Sequence, residues 1–170
     1  MTNLQTAQYA GSWRKGVHLP SYISGYFDGE GYFSVALSPR SQLLVGWEVR
    51  PSGSVSQNGD RAQVVEEILH HFRCGTIRPD PGDKTVKGES RSFRALRESV
   101  LPHFRMYPLQ SGKQRDFELL DEICERMERR DHLTIPGLAE IVELARMMNP
   151  SGSRRYDPSK TLRDLVKKKA

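Results

Sequence analysis

Cysteine is nearly absent from this 170-residue chain: it has only Cys74 and Cys124, which lie far apart and match no metal-ligand spacing. A disulfide framework and a structural zinc site are therefore excluded, and free thiols are expected. Apolar residues make up 36%, and no apolar run approaches the roughly 18 residues a membrane span needs. The five histidines, His18, His70, His71, His103 and His132, show no zinc spacing and are expected at the surface or the core edge. Also missing are a glycine-rich phosphate loop, a Ser-His-Asp order, a dinucleotide fingerprint and a basic-then-apolar leader pattern. What remains is one domain's length of chain with enough apolar residues to build a core.

The net charge of +5 is unevenly spread. Residues 1–60 carry four Lys/Arg against four Asp/Glu, 61–115 eleven against six, 116–150 four against nine, and 151–170 seven against two. The balances of 0, +5, −5 and +5 describe a basic middle and a basic tail around an acidic stretch. Such a distribution suits a polyanion-binding face opposite a solvated acidic helix, or simply an uneven surface.

Residues 1–19 hold no sustained period and are expected to form a flexible arm; 20–149 form the domain, and 150–170 a basic tail that is mobile or ordered only on a partner. Pro20 opens a short helical pattern in which Tyr22, Ile23, Tyr26 and Phe27 supply large contacts, while Gly25 and Gly29 lie four apart on one side. Each glycine costs a helix about 1 kcal/mol relative to alanine, a cost that makes sense where another backbone comes very close. From Phe33 the period becomes two, giving strands through Phe33, Val35 and Leu37 and through Trp47, Val49, Gly53 and Val55. Asp60 and Gln63 resemble a capping box for a helix through Phe72. Thr76–Arg78 and Ser92–Ala95 read as a second strand pair joined by the PDPGDKTVKG loop. A short helix over Val100–Tyr107, broken by Pro102 and Pro108, then precedes two longer helices carrying Phe117, Leu120, Cys124, Met127 and Leu138, Ile141, Ala145, Met148. The expected order is α-β-β-α-β-β-α with an extra helix.

Ser34, Ser38, Arg50, Ser52, Ser54, Ser56, Thr76, Arg78, Ser92 and Arg94 share the outward parity of these strands, interrupted mainly by Ala36 and Glu48. A solvated sheet face more often mixes Lys, Glu and Thr, so this hydroxyl- and arginine-rich surface suits phosphate and base-edge contacts.

The most specific string, Ile23-Ser24-Gly25-Tyr26-Phe27-Asp28-Gly29-Glu30-Gly31, is followed directly by a strand. It resembles the LAGLIDADG signature of homing endonucleases, with Ser24 and Gly25 at the small positions and Asp28 and Glu30 at the acidic ones. The similarity covers most of residues 20–130. It includes RPSGSVSQ ending in Gln57, the spacing of Gln57 and Arg61, the helix followed by CGTIR, and PLQSGKQRDF with Lys113, Asp116 and Phe117. Residues two apart on a helix point about 200° apart, so Asp28 and Glu30 cannot be a facing acid/base pair. Glycines on both sides let the chain leave the helix at Glu30, which places that carboxylate at a helix C-terminus, where it calls for a cation.

The resemblance implies an α+β fold of αββαββα order, with a curved four-stranded antiparallel sheet forming a DNA-binding saddle and helices packed behind. Single-motif members pair two copies of the motif helix, which implies a homodimer with Ser24, Gly25, Asp28 and Gly29 at its interface. It further implies hydrolysis of one phosphodiester per strand of a pseudo-palindromic double-stranded DNA target. Glu30 and the Gly29 carbonyl would hold Mg²⁺, with Mn²⁺ substituting and Ca²⁺ binding without turnover. Gln57 would orient solvent, Arg61 and Lys113 would stabilise charge, and Ser34, Ser38, Arg40, Arg50, Ser54, Arg78 and Arg94 would meet the DNA. No membrane or organic cofactor is implied, and an intracellular location in a bacterial cytoplasm or a DNA-containing organelle is expected. Two readings stay open beside the nuclease: a non-cleaving intron RNA maturase or DNA-binding regulator, and a basic dimerisation module. Arg61 and Lys113 equally admit reading as ordinary surface residues.

Overall fold

A computed structural model of the chain describes residues 16–80, 82–150, 160, 161 and 163. Helix α1 spans Leu19–Glu30; His18 caps it, its ring nitrogen accepting from the Ser21 N–H. Strand β1 (Gly31–Pro39) follows without a linker. Gly31 is required there by close approach, because a Cβ would overlap the ring and carbonyl of Phe27. β2 (Trp47–Asn58), α2 (Gln63–Phe72), β3 (Thr76–Asp80) and β4 (Thr85–Ser90) come next. A helical run then comprises α3 (Phe93–Ala95), a π-type turn (Leu96–Val100) and α4 (Leu101–Met106). The longer α5 (Lys113–Glu128) and α6 (Ile135–Met147) complete the described domain.

The four strands form one antiparallel sheet in the order β1-β2-β4-β3. Phe33 pairs with Gly53, Leu37 with Val49 and Val55 with Gly88, so one face of the sheet is apolar and carries the helices. Phe27, Phe33, Phe72, Phe104 and Phe117 meet beneath it, with ring centroids 4.8–6.2 Å apart. The other face presents Tyr32, Ser34, Ala36 and Ser38 on β1 and Glu48, Arg50, Ser52, Ser54 and Ser56 on β2. Lys87 and Glu89 continue it on β4, and Thr76 and Arg78 on β3.

The expected element order is present, with three local corrections. The fourth strand is Thr85–Ser90, and Ser92 instead caps α3 by accepting from the Ala95 N–H at 3.3 Å. Asp80 and Asp83 close the hairpin between Asp80 and Thr85, accepting from Gly82 and Thr85, and Gly88 belongs to the strand because α2 lies against it. A Cβ on Gly88 would stand 2.6 Å from Val65. Asp60 and Gln63 form no capping box: α2 begins at Gln63 without a side-chain cap, after a 3₁₀ turn over Gly59–Arg61. Pro102 does not break its helix, because the π-type turn before it, in which the Leu101 N–H reaches back to the Leu96 carbonyl, admits the ring.

Cys74 and Cys124 are free, and burial pushes the Cys124 thiol up to about 12. Among the described residues no helix is long and apolar enough to cross a membrane. Of the expected arm over residues 1–19, residues 1–15 lie outside the described residues and Leu19 already opens α1; the tail also lies outside them, apart from its first residue Pro150 and Lys160, Thr161 and Arg163. Lys160, Thr161 and Arg163 are helical, and Thr161 is fully buried.

Candidate catalytic centre and nucleic-acid interface

The polar residues of the motif gather at the C-terminal end of α1. Glu30 is exposed there, one residue before β1 begins. Lys113, the first residue of α5, places its ammonium 2.9 Å from the Gly29 carbonyl and 3.3 Å from that of Phe27. A cation thus caps the carbonyls at the negative end of the helix, as expected of a charge in that field. Asp28 secures the approach of Lys113: it accepts from the backbone N–H groups of Gln110 at 2.7 Å and Ser111 at 3.1 Å. Partial burial pushes the Asp28 carboxyl up, but the hydrogen bonds from Ser111 and Gln110 and the Lys113 charge outweigh it, so it ionises more readily than usual.

Gln57, near the end of β2, donates from its amide to the Tyr26 hydroxyl at 2.6 Å and accepts from the Asn58 N–H at 2.8 Å, which fixes its orientation. Tyr26 holds its proton more firmly than usual, first through burial and further through the nearby Glu30 and Tyr22. Arg61 stands apart from this group, three-quarters exposed, with Asp60 3.9 Å away. The structure therefore joins Lys113 to Gly29 and Gln57 to the motif helix, and leaves Arg61 on the adjoining turn.

Of the expected interface residues, Gly25 and Gly29 lie on an open face of α1, where an added Cβ would meet nothing within 4 Å. Ser24 turns inward instead. It is 5% exposed, and its hydroxyl donates to the Tyr107 carbonyl at 2.6 Å and lies 3.3 Å from His103 Nε2. His103 Nδ1 is in turn 3.2 Å from His71 Nε2, so His103 is a buried group rather than a surface or core-edge one.

On the sheet face, Ser34 and Ser52 share a hydrogen bond at 2.9 Å, and Ser54 is buried beneath Tyr32, donating to its carbonyl at 3.4 Å. Arg50 pairs with Glu48 at 2.9 Å. Arg40 closes the β1–β2 turn, its N–H bonded to the Gly46 carbonyl. Arg94 is not on the sheet: it lies in α3 and pairs with Glu98 one turn on, because Ser92 starts a helix where a strand was expected. Lys87, Glu89 and Arg91 escaped the sequence reading because they fall in and after the misplaced strand; the alternation of Thr85, Lys87 and Glu89 was the signal available.

The donors near Glu30 are oxygens, a carboxylate and the Gly29 carbonyl, which keeps one lone pair beside the one the Lys113 ammonium takes; oxygen is the chemistry a hard divalent cation takes. One chain offers few of them, and among the described residues no three His, Cys, Asp or Glu side chains cluster as a metal cage. The donor types fit such an ion.

An αββαββα domain with this motif at the junction of its first helix and strand is the architecture of the LAGLIDADG class. The LAGLIDADG endonuclease family model matches residues 23–124, and the chain belongs to that family. The chain is similar to a probable intron-encoded endonuclease of Neurospora crassa, 28% identical over 146 residues that cover 85% of this chain and 31% of the relative. It spans about a quarter to a third of the length of that and other fungal intron-encoded relatives. Among solved structures it resembles the homing endonuclease I-TnaI, with a TM-score of 0.77, 30% identity, and coverage of 88% of this chain and 97% of that one. It also resembles the archaeal intron-encoded homing endonuclease I-Vdi141I in complex with DNA, with a TM-score of 0.80, 27% identity, and coverage of 89% and 96%.

Proposed function

We propose that this chain is a site-specific DNA endonuclease that acts as a homodimer on a long pseudo-palindromic duplex and cuts one phosphodiester per strand with divalent metal. The observation that carries this reading is the exposed Glu30 carboxylate at the end of α1, one residue from a strand whose outer face is lined with serines and joined by arginines across the sheet. Catalytic carboxylate and readout surface are thereby held in one rigid register. The open glycine face of α1 supports pairing with a second copy, which would bring two such carboxylates to the same groove.

Glu30 and the Gly29 carbonyl would hold Mg²⁺, with Mn²⁺ able to replace it and Ca²⁺ binding without turnover. Such an ion supplies Lewis-acid stabilisation of charge at a phosphodiester. Lys113, held at the mouth of the site, offsets phosphate charge as it builds. Gln57, pinned by Tyr26 and Asn58, presents a fixed amide edge to solvent, and the exposed Arg61 guanidinium is available to a phosphate oxygen.

The test uses a duplex selected by the wild-type protein from a randomised double-stranded library. Glu30→Gln is expected to reduce Mg²⁺-dependent cleavage of that duplex by about a hundredfold or more, with binding retained. Undiminished cleavage by this variant would remove Glu30 from the mechanism. Binding by the wild type without any metal-dependent cleavage would favour a non-cleaving regulator or maturase.

A further inference from the structure

The outer sheet face contains one buried carboxylate, and nothing in the proposed chemistry uses it. Glu89 lies on β4 between Ser54 of β2 and Thr76 of β3, on the face opposite the helices, yet its side chain is only 5% exposed. Three cations cover it. Arg78 reaches Oε2 with Nη2 at 2.6 Å, Arg91 reaches the same oxygen with Nε at 2.9 Å, and Lys87 stands 3.6 Å from Oε1. Burial works to raise the Glu89 carboxyl, and the contacts from Arg91, Lys87 and Arg78 more than offset it, so the group ionises more readily than usual.

A carboxylate on a surface that meets phosphates repels its ligand unless it is covered, and here the cluster still presents a net charge of two positive units. The covering groups keep much of their own surface open: the Arg78, Arg91 and Lys87 side chains are 53%, 59% and 40% exposed. The geometry divides their donors. A guanidinium has five N–H groups in a rigid fork. Arg78 spends its Nη2 edge on Glu89 and keeps Nε and Nη1, whereas Arg91 spends Nε and keeps both terminal nitrogens. A flexible surface arginine sweeps many orientations and serves any phosphate in reach. One tethered through a single nitrogen samples fewer orientations, which favours presenting its remaining donors together, the requirement for bidentate contact with a base edge.

We propose that Glu89 is a positioning residue for sequence readout, which orients the Arg78 and Arg91 guanidinium groups toward base edges while Lys87 serves the backbone. The inference rests on the site-specific DNA reading given above.

The test compares the wild type with Glu89→Gln by measuring affinity for the library-selected duplex and for a scrambled duplex of equal length, in Ca²⁺ at fixed salt. Glu89→Gln removes one negative charge, so affinity for the scrambled duplex should rise. The preference for the selected duplex should fall by about tenfold or more, within the span expected when bidentate base contacts are lost. The double variant Arg78→Lys with Arg91→Lys keeps every charge and removes the forks; its preference should fall by the same factor, which keeps the test decisive if Glu89→Gln folds poorly. Preference retained in both variants overturns the proposal. A parallel loss of affinity for both duplexes, with no change in their ratio, also overturns it by assigning Glu89 a purely structural role. A wild type that enriches no sequence from the library overturns the site-specific reading itself, and this proposal with it.

Discussion

The two faces of α1 solve opposite problems with one short segment. On the inner face Ile23, Ser24 and Phe27 are almost fully buried, and the polar member is satisfied. Because the Ser24 hydroxyl gives its proton to the Tyr107 carbonyl, it must accept from His103 Nε2; His103 Nδ1 is then free to accept from His71 Nε2. The His103 pKa is held down to about 4, first by burial and then by the charge of His71, against a raising hydrogen bond to the Pro20 backbone. On the outer face Gly25 and Gly29 leave a strip that no described residue fills. Bulk on one side fixes the helix to its own chain, and the lack of it on the other leaves room for a neighbour's backbone. The glycine cost evident in the sequence is therefore a property of one face only.

The largest effect should come from breaking the inner face. Phe27→Ala removes the ring that packs on Phe33, Phe72 and Phe104, and urea denaturation should show a loss of about 3–5 kcal/mol. Acid tests the polar part of the same face. The His103 pKa is depressed in the folded chain, so its contribution is fully present above the unfolded value near 6.5 and is lost as pH falls toward about 4. That contribution is on the order of 3 kcal/mol, given near-complete burial. Denaturation midpoints measured across that window should decline more steeply in the wild type than in His103→Asn, in which His71 and His132 still resist protonation through burial. The smallest effect on folding belongs to the outer face. Gly25→Leu should leave the subunit as stable or more stable by up to about 1 kcal/mol, since glycine is a poor helix former. Light scattering should nevertheless report a monomer; a persistent dimer would place the interface elsewhere.

The same contrast explains what could be read from the sequence. β1 and β2 alternate strictly, with their apolar residues against the helices, and both were legible. β4 was not, because Pro79, Pro81, Gly82 and Asp83 extend their turn signal over a strand in which glycine serves close approach rather than a bend. Glu30, Gln57, Arg61 and Lys113 came from the resemblance, but the contacts that hold Gln57 and Lys113 need tertiary structure: Tyr26 lies on α1, 31 residues from Gln57, and Gly29 lies 84 residues from Lys113. Ser24 could not be assigned to a face from the motif alone, since its partners Tyr107 and His103 lie in and after α4. Glu89 was invisible for a related reason, because its role depends on strand register.

The end of α6 has a consequence for how the domain may be cut. Asn149, with a left-handed φ of 46°, donates its side-chain amide to the Phe33 carbonyl at 2.7 Å and its backbone N–H to Asp116 at 2.9 Å. It therefore covers a carbonyl on the edge of β1 that no strand among the described residues pairs, and ties that edge to α5. A truncation ending before Asn149 would uncover a bonding-competent strand edge beside the motif. A fragment that keeps the Phe33 carbonyl partnered must retain that residue, although it lies more than a hundred positions from the strand it touches.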